Sequence, residues 1–195
     1  MTRRLNALAA LAAAAALAAC GSDPHEYAGY NVQPQPQVGT VALPDLARDG
    51  SEFTMRAPDD GLLLVYFGYT NCPLECPTTL GDVAVVERAL ALDEPGVDDR
   101  IEVAMVSIDP ARDLPVLAEY VAGFVPDGHA LGTSDDTALR AAADAFGASY
   151  VVVNDQVSHS THLYAVDDTG TSVMQWTFPT ELDALQADIA ALLDA

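Results

Sequence analysis

Two short, almost unbroken apolar runs stand out along the chain, at residues 62–67 and 101–108. Their length and β-branched content suit strands buried on both faces of a sheet, which need no polar alternation. Between them, Leu80, Val83, Ala84, Val86 and Leu90 recur at helical spacing and predict a helix over 77–92. Two further helices are expected at 114–124, entered through Asp109-Pro110, and at 135–146. A short strand is expected at 150–153. Residues 163–166 and 172–178 form a hairpin pattern about Asp167-Asp168-Thr169-Gly170, and 181–193 closes as an amphipathic helix. Ahead of the first run, 41–46 and 52–56 look like short strands around the turn signal Arg48-Asp49-Gly50.

That order is a βαβ unit followed by a ββα unit. A right-handed crossover makes the first two strands parallel, and the tight hairpin adds two antiparallel ones. The expectation is an α/β, thioredoxin-like fold over residues 38–195: a central mixed sheet flanked by helices, with an N-terminal β-hairpin extension. Neither a repeat nor a second domain is visible.

Half of the 195 residues are apolar and 19% are charged, enough for a real core. The 29 Asp and Glu outnumber 8 basic residues, all Arg and all scattered, for a net charge of −21. Nucleic acid is excluded as a partner, because phosphate backbones are gripped by clustered bases. The acids are spread along the chain and suit a solvated shell that keeps a monomer in solution.

Arg3 and Arg4 precede an Ala/Leu run over 5–19, too short for the ~20 residues of a spanning helix. It ends Leu17-Ala18-Ala19-Cys20-Gly21-Ser22, which resembles a bacterial lipobox. Residues 1–19 are therefore expected to be a lipoprotein signal peptide and Cys20 the acylated residue, with an ordinary signal peptide as the alternative. Loss of Arg3 and Arg4 would take the net charge from −21 to −23, so acyl chains rather than charge would hold the protein at the extracytoplasmic membrane face. Residues 20–37, rich in Gly, Ser, Pro and Gln, read as a flexible tether.

With Cys20 assigned to the anchor, Cys72 and Cys76 remain, in Cys72-Pro73-Leu74-Glu75-Cys76-Pro77 where the first buried strand gives way to a helix. Unpaired N–H groups and the helix dipole favour thiolates there, the form that attacks disulfides and binds metal. A plain structural disulfide is the alternative, although so short a loop constrains the unfolded chain little. Of the histidines, His25 falls in the tether and His129 in an irregular stretch, both as exposed filler. His159 and His162 precede the hairpin, in a loop that a thioredoxin-like fold brings to face the cysteine-bearing helix start. A Cys₂His set favours copper, above all Cu(I), with zinc as competitor.

The chain resembles the SCO/SenC family of copper-binding, thioredoxin-like proteins. The Cys72 to Pro77 pattern is preceded by Gly68-Tyr69-Thr70 and followed by Thr78-Thr79-Leu80. Ser107-Ile108-Asp109-Pro110-Ala111-Arg112-Asp113 and His159-Ser160 with Tyr164 follow in order. The resemblance implies that Cys72, Cys76 and His159 bind copper, as Cu(I) or Cu(II), and that the protein delivers it to the CuA centre of cytochrome c oxidase. Its partners would be the copper-receiving oxidase subunit and other copper chaperones or thiol reductants. Two departures stand out: Ser158 replaces the usual Asp before the His, and the acidic-then-apolar pair inside the cysteine loop is reversed as Leu74-Glu75. His162 is read as incidental.

Two functions compete. As a metallochaperone the chain needs no covalent chemistry. As a thiol–disulfide reductase, with Cys72 and Cys76 as the redox pair, it would keep the oxidase's copper-ligand cysteines reduced. The chain lacks any proline between Pro126 and Pro179 to serve as the cis-proline of general reductases, which favours metal binding. A peroxiredoxin is a distant third.

Overall fold

The computed structural model describes residues 25–153 and 156–195. In chain order the strands and helices are β1 (Ala42–Asp45), β2 (Ser51–Thr54), β3 (Leu62–Gly68), α1 (Glu75–Asp93), β4 (Ile101–Ser107), α2 (Pro110–Asp113) and α3 (Leu117–Ala122). They continue as β5 (His129–Leu131), α4 (Asp136–Phe146), β6 (Tyr150–Val153), β7 (Gln156–His159), β8 (His162–Val166), β9 (Ser172–Thr177) and α5 (Leu182–Leu193). Seven strands form one mixed sheet in the order β2-β1-β5-β4-β3-β8-β9, and β6 and β7 form a separate hairpin. Strands β3, β4 and β5 run parallel, while β8 runs antiparallel to β3 and β9 to β8. This is the expected thioredoxin-like α/β sheet, with the β1–β2 hairpin joined to its edge through Asp45 and Leu131.

Strand β3 is buried along its whole length, and its period of two divides the core. Leu63, Val65 and Phe67 meet Leu139, Ala142, Ala143 and Phe146 of α4 on one face. Leu62, Leu64 and Tyr66 meet Val83, Ala84, Val86 and Leu90 of α1 and Leu185 and Ile189 of α5 on the other. Each such aliphatic side chain contributes about 1.5–3 kcal/mol on full burial. The C-terminal end of β3 is thus held from both sides, and the segment that follows it starts from a rigid point.

Several expectations need correction. The helix expected over 114–124 is shorter, α3 at Leu117–Ala122, and is separated from α2 before it by Pro115, which lacks the N–H that a continuous helix would need. The stretch around His129 is not irregular but strand β5, parallel to β4. His129 is buried rather than exposed: its Nδ1 donates to Asp45 at 2.8 Å and its ring lies 3.9 Å from that of Phe53.

The flexible tether expected over 20–37 is, from residue 25 on, a strap laid along the sheet edge. Tyr30 exchanges two backbone hydrogen bonds with Gln175, and the Ser172 N–H donates to the Pro36 carbonyl. Buried Asp188 of α5 accepts from His25 Nε2 (2.7 Å), the Gly29 N–H (2.9 Å) and Trp176 Nε1 (2.8 Å). His25 is therefore a hydrogen-bond partner of a buried carboxylate, not filler. The Pro and Gln that signal extended chain also suit a segment that pairs with an open strand edge. The signal peptide and Cys20 lie outside the described residues. Among those residues no helix is long and apolar enough to cross a membrane.

Candidate metal centre

The site begins where β3 ends. After Gly68 the chain turns through Tyr69 to Leu74 and enters α1 at Glu75, two residues before the expected start, so Cys76 lies inside the first helical turn. Pro77 falls in that turn, where a missing N–H leaves no partner unsatisfied. Cys72 and Cys76 are both free thiols and both buried. The Cys76 N–H donates to Cys72 Sγ at 3.3 Å, so the helix start supplies a backbone donor to the first sulfur. The second is enclosed: Tyr66 Oη donates to Cys76 Sγ at 3.7 Å. A Cβ on Gly68 would stand 3.0 Å from that sulfur and 2.6 Å from the Tyr66 ring, so only glycine lets the sulfur lie this close to the strand. Burial pushes the Cys76 thiol up to about 12, against the pull of the hydrogen bonds from Tyr69 and Tyr66.

The loop is anchored from below by Asp113, which is wholly buried. Its carboxylate accepts from the Thr70 N–H (3.1 Å), Thr70 Oγ1 (2.6 Å) and Ser107 Oγ (2.6 Å). Arg112 pairs with Asp109, and the Asp109 N–H donates to Ser107 Oγ. The Ser-x-Asp-Pro-x-Arg-Asp motif is therefore a clamp that ties the end of β4 to the segment leading into Cys72.

His159 ends β7, across from the cysteines. Its Nδ1 donates to the Ser160 carbonyl at 2.8 Å, which fixes the tautomer and leaves Nε2 as the ring nitrogen able to ligate a metal. Burial holds its pKa below the usual imidazole value, against the opposing effects of the Ser160 carbonyl, Glu75 and the Phe67 carbonyl, so the neutral, ligating form is favoured. The ring stacks edge-on against Tyr66 (6.2 Å) and Tyr69 (5.8 Å). Among the described residues no three His, Cys, Asp or Glu side chains stand close enough to hold a metal ion as they are. The fold brings the two cysteines together and packs His159 against the tyrosine rings beside them. The donor chemistry, two thiols and one neutral imidazole, fits a soft ion such as copper. His162 is elsewhere, its Nε2 2.9 Å from the Tyr30 hydroxyl.

Motif reading alone missed the aromatic wall. Tyr66, Tyr69 and Tyr120 surround the thiols, and the buried Tyr120 hydroxyl has no hydrogen-bond partner among the described residues. Burial, with the nearby cysteines, pushes Tyr69 up to about 12 and Tyr120 up as well, so both stay neutral donors. Tyr66 near the end of β3 and Tyr69 just after it stand next to the cysteine loop in sequence, and that nearness is the available signal. Glu75, in sequence only a departure from the family pattern, has its carboxylate 3.5 Å from Cys72 Sγ, which donates to it.

The SCO1/SenC family model matches residues 45–194. An SCO2-like protein of Rickettsia prowazekii is 33% identical over 119 residues, 56% of this chain and 55% of that protein, so the match spans just over half of the relative's length. The solution structure of apo Sco1 from Thermus thermophilus superposes with a TM-score of 0.73 at 28% identity, over 88% of this chain and 99% of that one. Yeast Sco1 with copper bound superposes at 0.69 and 25% identity, over 82% and 90%. The family match takes in the cysteine loop, the Asp113 clamp and His159 alike, and the chain belongs to the SCO1/SenC family.

Proposed function

We propose that this protein is a copper metallochaperone: Cys72, Cys76 and His159 hold copper and pass it to the copper-receiving subunit of cytochrome c oxidase, for its CuA centre. The family is linked to copper binding and to assembly of that oxidase. The observation that carries the reading is the pair of reduced thiols at the start of α1, faced by an imidazole whose Nδ1 is already committed to a carbonyl. Copper uptake displaces the proton of Cys76 and takes Cys72 Sγ and His159 Nε2 as its other ligands. Release follows by ligand exchange with the thiolates of the receiving subunit, without covalent chemistry. An acyl chain on Cys20 would keep the site at the extracytoplasmic membrane face.

Anaerobic Cu(I) titration of the reduced chain tests this. One Cu(I) per chain is expected, lost in Cys72→Ser and Cys76→Ser and weakened in His159→Ala with an unchanged melting temperature. Equal affinity in His159→Ala and the parent would remove His159 from the site. One observation favours the reductase reading: Cys72 Sγ receives a backbone N–H at a helix start, as an attacking thiolate requires. Disulfide reduction by the parent that survives undiminished in the His159→Ala variant, whose copper binding is weakened, would support that second role.

A further inference from the structure

We infer that Glu75 is an oxygen donor of this same site and tilts it toward Cu(II). The inference rests on the proposed copper reading. Glu75 is the first residue of α1, where the turn that carries Cys72 enters the helix. Its Oε2 lies 3.5 Å from Cys72 Sγ, whereas neighbouring Leu74 points its side chain outward, 65% exposed. The carboxylate's field reaches across the mouth of the site. It contributes to raising Tyr69, after burial and Cys72, and it opposes the effect of burial on His159. Glu75 thus stands beside the first sulfur at the mouth of the site. No Lys or Arg is paired with it among the described residues.

The chemistry of the two copper ions separates them here. Cu(I) is soft and is satisfied by two thiolates and an imidazole, whereas Cu(II) takes mixed nitrogen and oxygen donors in a tetragonal set. A Cys₂His site already carries two negative charges from its thiolates; the carboxylate adds a third. At equal distance that added charge attracts a divalent ion twice as strongly as a monovalent one. Glu75 therefore strengthens Cu(II) more than Cu(I), and the bound copper becomes harder to reduce.

Glu75→Gln removes the charge and keeps the size, at an exposed position where the fold does not depend on it. Cu(I) and Cu(II) affinities of the reduced full-length chain are measured by anaerobic competition titration, with the reduction potential of the bound copper as an independent readout. The expected result is a Cu(II) affinity about tenfold lower, from loss of a full charge beside the ion, and a Cu(I) affinity about threefold lower, half that change in free energy. Each tenfold change in that ratio raises the potential by about 59 mV for a one-electron couple. An unchanged ratio, whether both affinities hold or both fall together, overturns the role of Glu75 and leaves the copper site standing. A parent chain that takes up no copper overturns the proposed function, and this inference with it.

Discussion

Asp113 touches no ligand-bearing side chain, yet the geometry predicts that Asp113→Asn will loosen the metal site. Its carboxylate is an acceptor at each of its three contacts, from the Thr70 N–H, Thr70 Oγ1 and Ser107 Oγ. Asparagine keeps the volume but removes the charge and turns one acceptor into an amide donor facing those groups. A buried bond to a charged acceptor contributes about 1.5–3 kcal/mol and a neutral one about 0.5–1.5. Three weakened bonds therefore cost about 2–4 kcal/mol in all. For a chain of this size that lowers the melting temperature by about 5–12 °C, measurable by circular dichroism or calorimetry. The Cu(I) affinity should fall as well, because Thr70 no longer holds the turn into Cys72. Thr70→Val removes one of the same bonds, so the double variant should lose less than the two single variants added together. A melting shift below about 2 °C, or strict additivity with Thr70→Val, would refute the clamp.

Three other predictions follow from the site and the buried acids. Gly68→Ala places a methyl 3.0 Å from Cys76 Sγ, so it should weaken Cu(I) binding more than it lowers the melting temperature; titration beside a melt separates the two. Burial pushes the Cys76 thiol up to about 12, so copper must displace its proton, and Cu(I) affinity should rise by about tenfold per pH unit for each proton released at neutral pH. The same shift makes stability complete below the unfolded thiol value of about 8.5 and lowers it as pH climbs toward 12, visible in alkaline urea titrations. Burial alone would raise Asp45 and Asp188, but His129 leads the bonds that hold Asp45 low and Trp176 those that hold Asp188 low. Both stabilise the fold above about pH 4, and that contribution is lost as pH falls through their depressed values; Asp188→Ala should flatten the acid limb of the stability curve.

The parts of the fold legible in the sequence are those in which one pattern speaks for a whole element. Strand β3 is buried along its length, and the apolar stripe of α1 is unbroken, so both were read close to their observed bounds. Strand β5 has three residues, fewer than one full alternation, and its place is set by pairing with β4 and β1 rather than by its own side chains. The strap over residues 25–38 carries no periodicity because its backbone, not an apolar face, makes the contact. At the site, the cysteines and His159 are visible as residue types with a known chemistry. Their distance from one another is tertiary, and so is the tyrosine wall between them. The four buried aspartates among the described residues, Asp45, Asp109, Asp113 and Asp188, look in sequence like any of the 29 acids. Only their neighbours separate them from the solvated ones.

Docking of the strap also bears on how high the protein can stand above a bilayer. A free tether running from Cys20 through residue 37 would span up to about 60 Å when fully extended. With the chain fastened at His25 through Asp188, only the five links from Cys20 to His25 remain, a reach of at most about 18 Å. If Cys20 carries the lipid, α5 and the β9 edge lie close over the headgroups and the protein pivots on a short leash. Only receiving subunits whose copper site stands near the membrane surface would then fall within its sweep.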